Sequence, residues 1–183
     1  MSPSIKKYSK GFTLIELLVV IAIIALLSSA VISSLSKARS KSRDAQRVAS
    51  MKAVQTALEM YFSDYSRYPT TSDAWRSECA AWGSHTPANV IPGLSPTYIG
   101  KVPSDPFMKK TTNQNCFIYR SNGVNYAFLD HNSNASGVSD IDFRSQPTFI
   151  DPVRDGGTSS CNVDGPGTGI WAWKISSQGY RCI

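Results

Sequence analysis

Glu16 is the one charged residue in the apolar run FTLIELLVVIAIIALLSSA that fills residues 12–30. A carboxylate inside hydrocarbon costs on the order of a few kcal/mol and calls for a partner. The nearest useful cation is not a side chain. A cut between Gly11 and Phe12 would create a free α-amino group at the start of a helix, close to Glu16. The orphan N–H groups of such a start favour a carboxylate as well. The chemistry written into this spacing is therefore one proteolytic cut followed by an ammonium–carboxylate pair, within a chain or between chains.

Four cysteines, Cys79, Cys116, Cys161 and Cys182, lie downstream of the apolar run. None forms a Cys-x-x-Cys pair and the only histidines are His85 and His131, so zinc spacing is absent. An even count behind an export-like N-terminus predicts two disulfides in an oxidising compartment. Three connectivities are open; closeness in sequence favours Cys79–Cys116 and Cys161–Cys182. Neither histidine has a nucleophile context, and Gly165-Pro166-Gly167-Thr168-Gly169 opens no helix, so no enzyme and no nucleotide cofactor is expected.

These residues need elements to position them. The chain has 183 residues, 42% of them hydrophobic and 17% charged, room for one domain and an appendage. Its mean hydropathy of -0.18 excludes a polytopic membrane protein. The net charge of +6 includes Lys6, Lys7 and Lys10 ahead of the run, and a remainder of +3 (6 − 3) argues against a nucleic-acid partner. Nineteen residues of helix rise about 28 Å, close to a bilayer core. No proline or glycine occurs from Phe12 through Tyr68. Beyond Ala30 the residues Ala45, Val48, Met51, Val54, Leu58, Tyr61 and Tyr65 recur at spacings of three and four, until Pro69 ends the pattern. One helix over 12–65 is predicted, its first part (12–33) membrane-grade and its second amphipathic. The cluster Lys37, Arg39, Lys41, Arg43 and Arg47 is expected to form a solvated face near the headgroups.

Residues 66–183 hold nearly all the prolines and glycines and form the globular part. A proline-rich connection with a short helix near 72–81 comes first. Candidate strands are 116–120, 125–129, 148–150 and 169–175, and Asn122-Gly123 marks a hairpin between the first two. Val124, Tyr126 and Phe128 alternate onto one face, as do Trp171, Trp173 and Ile175. Trp171, Trp173, Tyr119 and Tyr126 are expected to be core rather than a sugar- or nucleic-acid-binding face. Residues 130–140 and 151–169 are expected to be exposed polar loops. The predicted fold is α+β, a long N-terminal helix packed on a small antiparallel sheet.

The stretch Lys10-Gly11-Phe12-Thr13-Leu14-Ile15-Glu16 and the apolar run after it resemble the processing site of type IV pilins and type II secretion pseudopilins. The resemblance implies a leader, 1–11, removed by a prepilin peptidase after Gly11. It implies methylation of the new N-terminus at Phe12, with Glu16 neutralising the terminus of an adjacent subunit during assembly. Implied partners are identical or related subunits in a helical filament, the assembly platform of the cytoplasmic membrane, and the bilayer before assembly. The implied location is the cytoplasmic membrane, single-pass, then a pilus or pseudopilus outside it. Residues 98–107, ending Asp105-Pro106-Phe107, resemble more weakly the loop of major pseudopilins. Pseudopilins with such loops often bind calcium in a late acidic loop, for which Asp130, Asp140 and Asp142 are the candidates. Many filament pilins carry a helix proline where this chain has Ser33.

Two rival expectations remain. One is a minor pilin whose globular domain binds DNA or a surface. The other is a freely secreted protein cut near Ala30 at Ser28-Ser29-Ala30, against which stands Glu16 inside the apolar core. Five basic residues after the span against three before it oppose a leader-in orientation on a simple count. The resemblance implies that orientation nevertheless.

Overall fold

The computed structural model describes residues 11–132, 148 and 171–177. The chain divides into two compact units, Met1–Arg39 and Ser40–Ile183. Helix α1 (Leu14–Tyr65) is a single 52-residue element that contributes to both. It runs unbroken because neither glycine nor proline interrupts it. At its end Ser66 adopts a left-handed φ of 52° and donates its N–H to the Phe62 carbonyl at 2.7 Å, and Pro69 follows.

In the first unit all fifteen large apolar side chains from Phe12 to Leu35 are exposed. That is a surface built for lipid or for other helices, not for water.

The second unit is built on a four-stranded antiparallel meander. Its strands are β1 (Arg76–Ser77), β2 (Cys116–Ser121), β3 (Tyr126–Asn132) and β4 (Trp171–Ser176), in the order β1-β2-β3-β4. Residues Ser121 and Tyr126 close the β2–β3 hairpin. Gly123 holds φ +92° there, and the Asn122 side-chain oxygen accepts the N–H groups of Val124 and Asn125. Period-two alternation then sorts the strands into two faces. Phe117, Tyr119, Tyr126, Phe128, Trp173 and Ile175 share one core with Met51, Val54 and Leu58 of α1. Tyr68 joins this core and donates its hydroxyl to Glu59; burial and that carboxylate push it up to about 12, so it stays protonated.

The opposite face carries Ile118, Ala127, Leu129 and the Cys79–Cys116 disulfide, packed by Trp75, Trp82 and Met108. The disulfide spans 37 residues of chain. Loop-closure entropy over that length corresponds to about 4 kcal/mol. A Cys79→Ser/Cys116→Ser chain is expected to lose about 2–4 kcal/mol in urea unfolding. A loss under about 0.5 kcal/mol would show that the strand pairing holds this loop without help.

Several expectations change. Residues 72–81 form no helix: β1 and a 3-10 turn, Ala80–Trp82, occupy that stretch. Pairing of Arg76 and Ser77 with β2, and the tie from Cys79, prevail over local propensity. Val124 lies outside the strand and is exposed, because the hairpin needs residues 122–125 for its turn. Ala45 and Tyr65, the ends of the helical stripe, are exposed as well. Asp130 is not in an exposed loop but fully buried in β3. Trp173, Tyr119 and Tyr126 are core as expected. The candidate strand 148–150 apart from Thr148, the loop 151–169, and Asp140, Asp142, Cys161 and Cys182 lie outside the described residues.

Candidate functional site

The helix start is organised by a residue that the sequence reading passed over. Thr13, immediately ahead of α1, acts as N-cap. Its N–H and its hydroxyl both donate to Glu16 Oε2, at 2.8 and 2.7 Å. The Glu16 N–H returns a bond to Thr13 Oγ1 at 3.3 Å. This is a capping box: threonine, two residues, then a glutamate that reaches back. The Thr13-x-x-Glu16 spacing carried the signal.

Two consequences follow for the chemistry. Glu16 is a satisfied carboxylate within its own chain, with both donors on one oxygen; Oε1 accepts no hydrogen bond among the described residues. A further cation can therefore approach without breaking the cap. Phe12 projects ahead of the helix, 88% exposed, and a side chain added at Gly11 would meet nothing within 4 Å. The fold itself makes no demand for glycine at that position.

In the second unit a second polar arrangement fixes the loop 98–107. Arg47 is fully buried on the core side of α1, not on a solvated face. Its Nε lies 2.5 Å from Asp105 Oδ2 and 3.4 Å from Asp130 Oδ2, and its Nη1 lies 2.8 Å from Asp44 Oδ1. Three carboxylates thus converge on one guanidinium, which has the donors to serve them. The sequence signal was its phase: positions 44, 47, 51, 54 and 58 make one helical stripe. Asp105 also accepts the Phe107 N–H at 2.6 Å, so the Asp105-Pro106-Phe107 step is locked onto α1. Asp130, a calcium candidate, is committed to this arrangement. His85 faces Arg76 and His131 packs edge-on to Trp82.

A capped helix start behind an exposed Gly11-Phe12 step, an apolar helical stretch with its large side chains exposed from Phe12 to Leu35 and a small α+β domain define a pilin-like filament subunit. Residues 6–32 match the prokaryotic N-terminal methylation motif. Residues 31–133, more than half of the chain, match type II secretion system protein G, and the chain belongs to that family. It is 36% identical over 98 residues to the type II secretion system core protein G of Klebsiella pneumoniae, covering 54% of this chain and 69% of that one. To the core protein G of Escherichia coli K12 it is 34% identical over 103 residues, covering 54% and 66%. A type IV major pilin protein of Myxococcus xanthus is 38% identical over 60 residues, covering 33% and 27%. No solved structure gives a significant match.

Proposed function

We propose that this chain is the precursor of a pseudopilus subunit. A membrane peptidase cuts it between Gly11 and Phe12, the Phe12 amine is methylated, and residues 12–33 hold it in the cytoplasmic membrane until it is polymerised. The observation that carries this reading is Glu16: a lone carboxylate at the head of an apolar helical stretch whose large side chains from Phe12 to Leu35 are exposed, capped in its own chain yet open on one oxygen. In the filament that oxygen meets the terminal ammonium of an adjacent subunit and sets the axial register. Packing of the apolar helices supplies the cohesion. The work is mechanical, with no catalytic residue and no cofactor.

The orientation places the globular unit outside the cytoplasm, where the Cys79–Cys116 disulfide can persist. Partners in this reading are related subunits, the peptidase and the assembly platform. A surface type IV pilus is the second reading, favoured by the likeness to the Myxococcus xanthus pilin. Deleting the gene separates the two: loss of protein secretion supports the pseudopilus, loss of surface filaments the pilus.

The cut is tested by mass spectrometry of membrane-extracted protein. The mature chain starts at Phe12 and carries about 14 Da more than its sequence mass, one methyl group in place of hydrogen. A Gly11→Ser chain keeps its leader. A start near Val31 would mean a secreted protein and end the filament reading.

A further inference from the structure

A histidine stands against an arginine in the second unit, in a contact that exists in one protonation state only. Arg76 of β1 directs Nη2 at His85 Nδ1, 3.3 Å away. A guanidinium only donates, so Nδ1 must accept, and the ring is neutral with its proton on Nε2. The same guanidinium donates from Nη2 to the Asn89 carbonyl at 2.8 Å and from Nε to the Val90 carbonyl at 3.2 Å. One side chain thus gathers the stretch 85–90 onto β1. Among the described residues no carboxylate pairs with Arg76.

The ring packs directly on backbone. A Cβ added at Gly83 would come 2.7 Å from His85 Nε2. Gly83 and Ser84, the two residues before His85, are both left-handed, with φ of 98° and 50°. A serine holds that conformation only where its surroundings enforce it. The His85 N–H donates to the Ser77 carbonyl at 2.7 Å, and the Pro87 carbonyl accepts the Val102 N–H at 3.1 Å. Ser84, Thr86, Ala88 and Asn89 are exposed, whereas Val90 and Ile91 are buried in the core. An exposed stretch is therefore pinned along its length and anchored at its far end.

The surroundings of the ring favour its neutral form. Partial burial and the Arg76 charge both hold His85 below the usual imidazole value of 6.5. Residues 80–84 and 86–91 carry no ionisable side chain to offset this. On β1's side Glu78 is buried and committed to the Ser104 hydroxyl and to Lys110 Nζ, the latter at 2.8 Å. The segment paired with Pro87 contributes Lys101, a further cation, and Asp105, which is bound to Arg47. The folded chain thus holds this proton less tightly than the unfolded one. The contact contributes fully above about 6.5 and is lost as the pH falls through the lower, folded value.

We propose that Arg76 and His85 form an acid-released latch on the stretch 84–89. With a neutral ring the latch holds this stretch against β1. A proton taken from solvent onto Nδ1 replaces the acceptor with a second cation facing the guanidinium, and the stretch is freed. The left-handed turn at Gly83-Ser84 is the hinge, and Val90 and Ile91 stay in the core. The device does not depend on the reading of residues 12–33.

The test uses the full chain in detergent micelles, with amide hydrogen exchange read by NMR and corrected for the intrinsic rate at each pH. The His85 and Val102 amides are expected to lose protection severalfold between about pH 8 and about pH 5, where an imidazole changes charge. The amides of the β2–β3 ladder are expected to be unchanged. His85→Gln keeps an acceptor for Arg76 but cannot take up a proton, and is expected to show the same protection across that range. Arg76→Gln removes the charge facing the ring and is expected to raise the titration midpoint of His85, read from its ring proton signals, toward 6.5. Equal protection of His85 and Val102 at both ends of the range in the parent overturns the proposal. So does a His85→Gln chain that loosens in acid as the parent does, which would place the titrating group elsewhere. A His85 midpoint at or above 6.5 in the parent overturns it as well, with no variant needed.

Discussion

A Glu16→Ala chain is expected to be cut, inserted and folded like the parent, yet to be absent from filaments. In the proposed reading this carboxylate has two tasks. Within the chain it closes the capping box with Thr13, a local device at the helix start. Between chains it would face a terminal ammonium, an opposite charge that the capping box does not supply. Only the second task involves a neighbouring subunit, so its loss is the one expected to block assembly. Glu16→Gln distinguishes them, because an amide oxygen can still accept the Thr13 N–H while the charge is gone. Quantifying incorporated subunit by immunoblot of sheared filaments, we expect glutamine to fail as alanine does. Normal filaments from Glu16→Gln would reduce this residue to a helix cap.

The second large effect concerns Arg47. Removing it with Arg47→Met leaves Asp44, Asp105 and Asp130 buried without the guanidinium on which they converge. Breaking a buried ion pair from one side typically costs about 3–5 kcal/mol. In a unit of this size that lowers the melting temperature by about 10 °C. Near-UV circular dichroism of the full chain in detergent reads it directly, because Trp173, Tyr119 and Tyr126 report the adjoining core. Arg47→Lys retains a cation without the planar fork and is expected to fall between the two. A melting temperature for Arg47→Met within about 2 °C of the parent would mean that the three carboxylates are not held by this arginine.

Much of the first unit was legible in the sequence, because it depends on local patterns. A run of apolar residues without glycine or proline specifies a helix of bilayer length whatever lies around it. The end of α1 at Tyr65 was legible too, from Pro69 and the fading stripe. The strands β2 and β3 followed from alternation and the Asn122-Gly123 turn, with β3 starting one residue later and running three further than expected. The stretch 72–81 defeated the reading, since β1 has only two residues and exists because β2 offers it an edge and a disulfide anchors it. Propensity has nothing to register in so short a strand.

Arg47 shows the same division at the level of one side chain. Its charge suggested solvent, and its phase on the helix suggested core. The two signals conflict locally, and only the approach of Asp105, 58 residues away, and of Asp130 from β3 decides between them. Sequence by itself determined the features on which the proposed function rests: Gly11, Phe12, Glu16 and an apolar run are read one residue at a time, in linear order. Tertiary structure decided which charges are withdrawn from solvent and how the Phe107 loop is held. Burial and ion pairing depend on residues far apart in the chain, and no local pattern encodes their meeting.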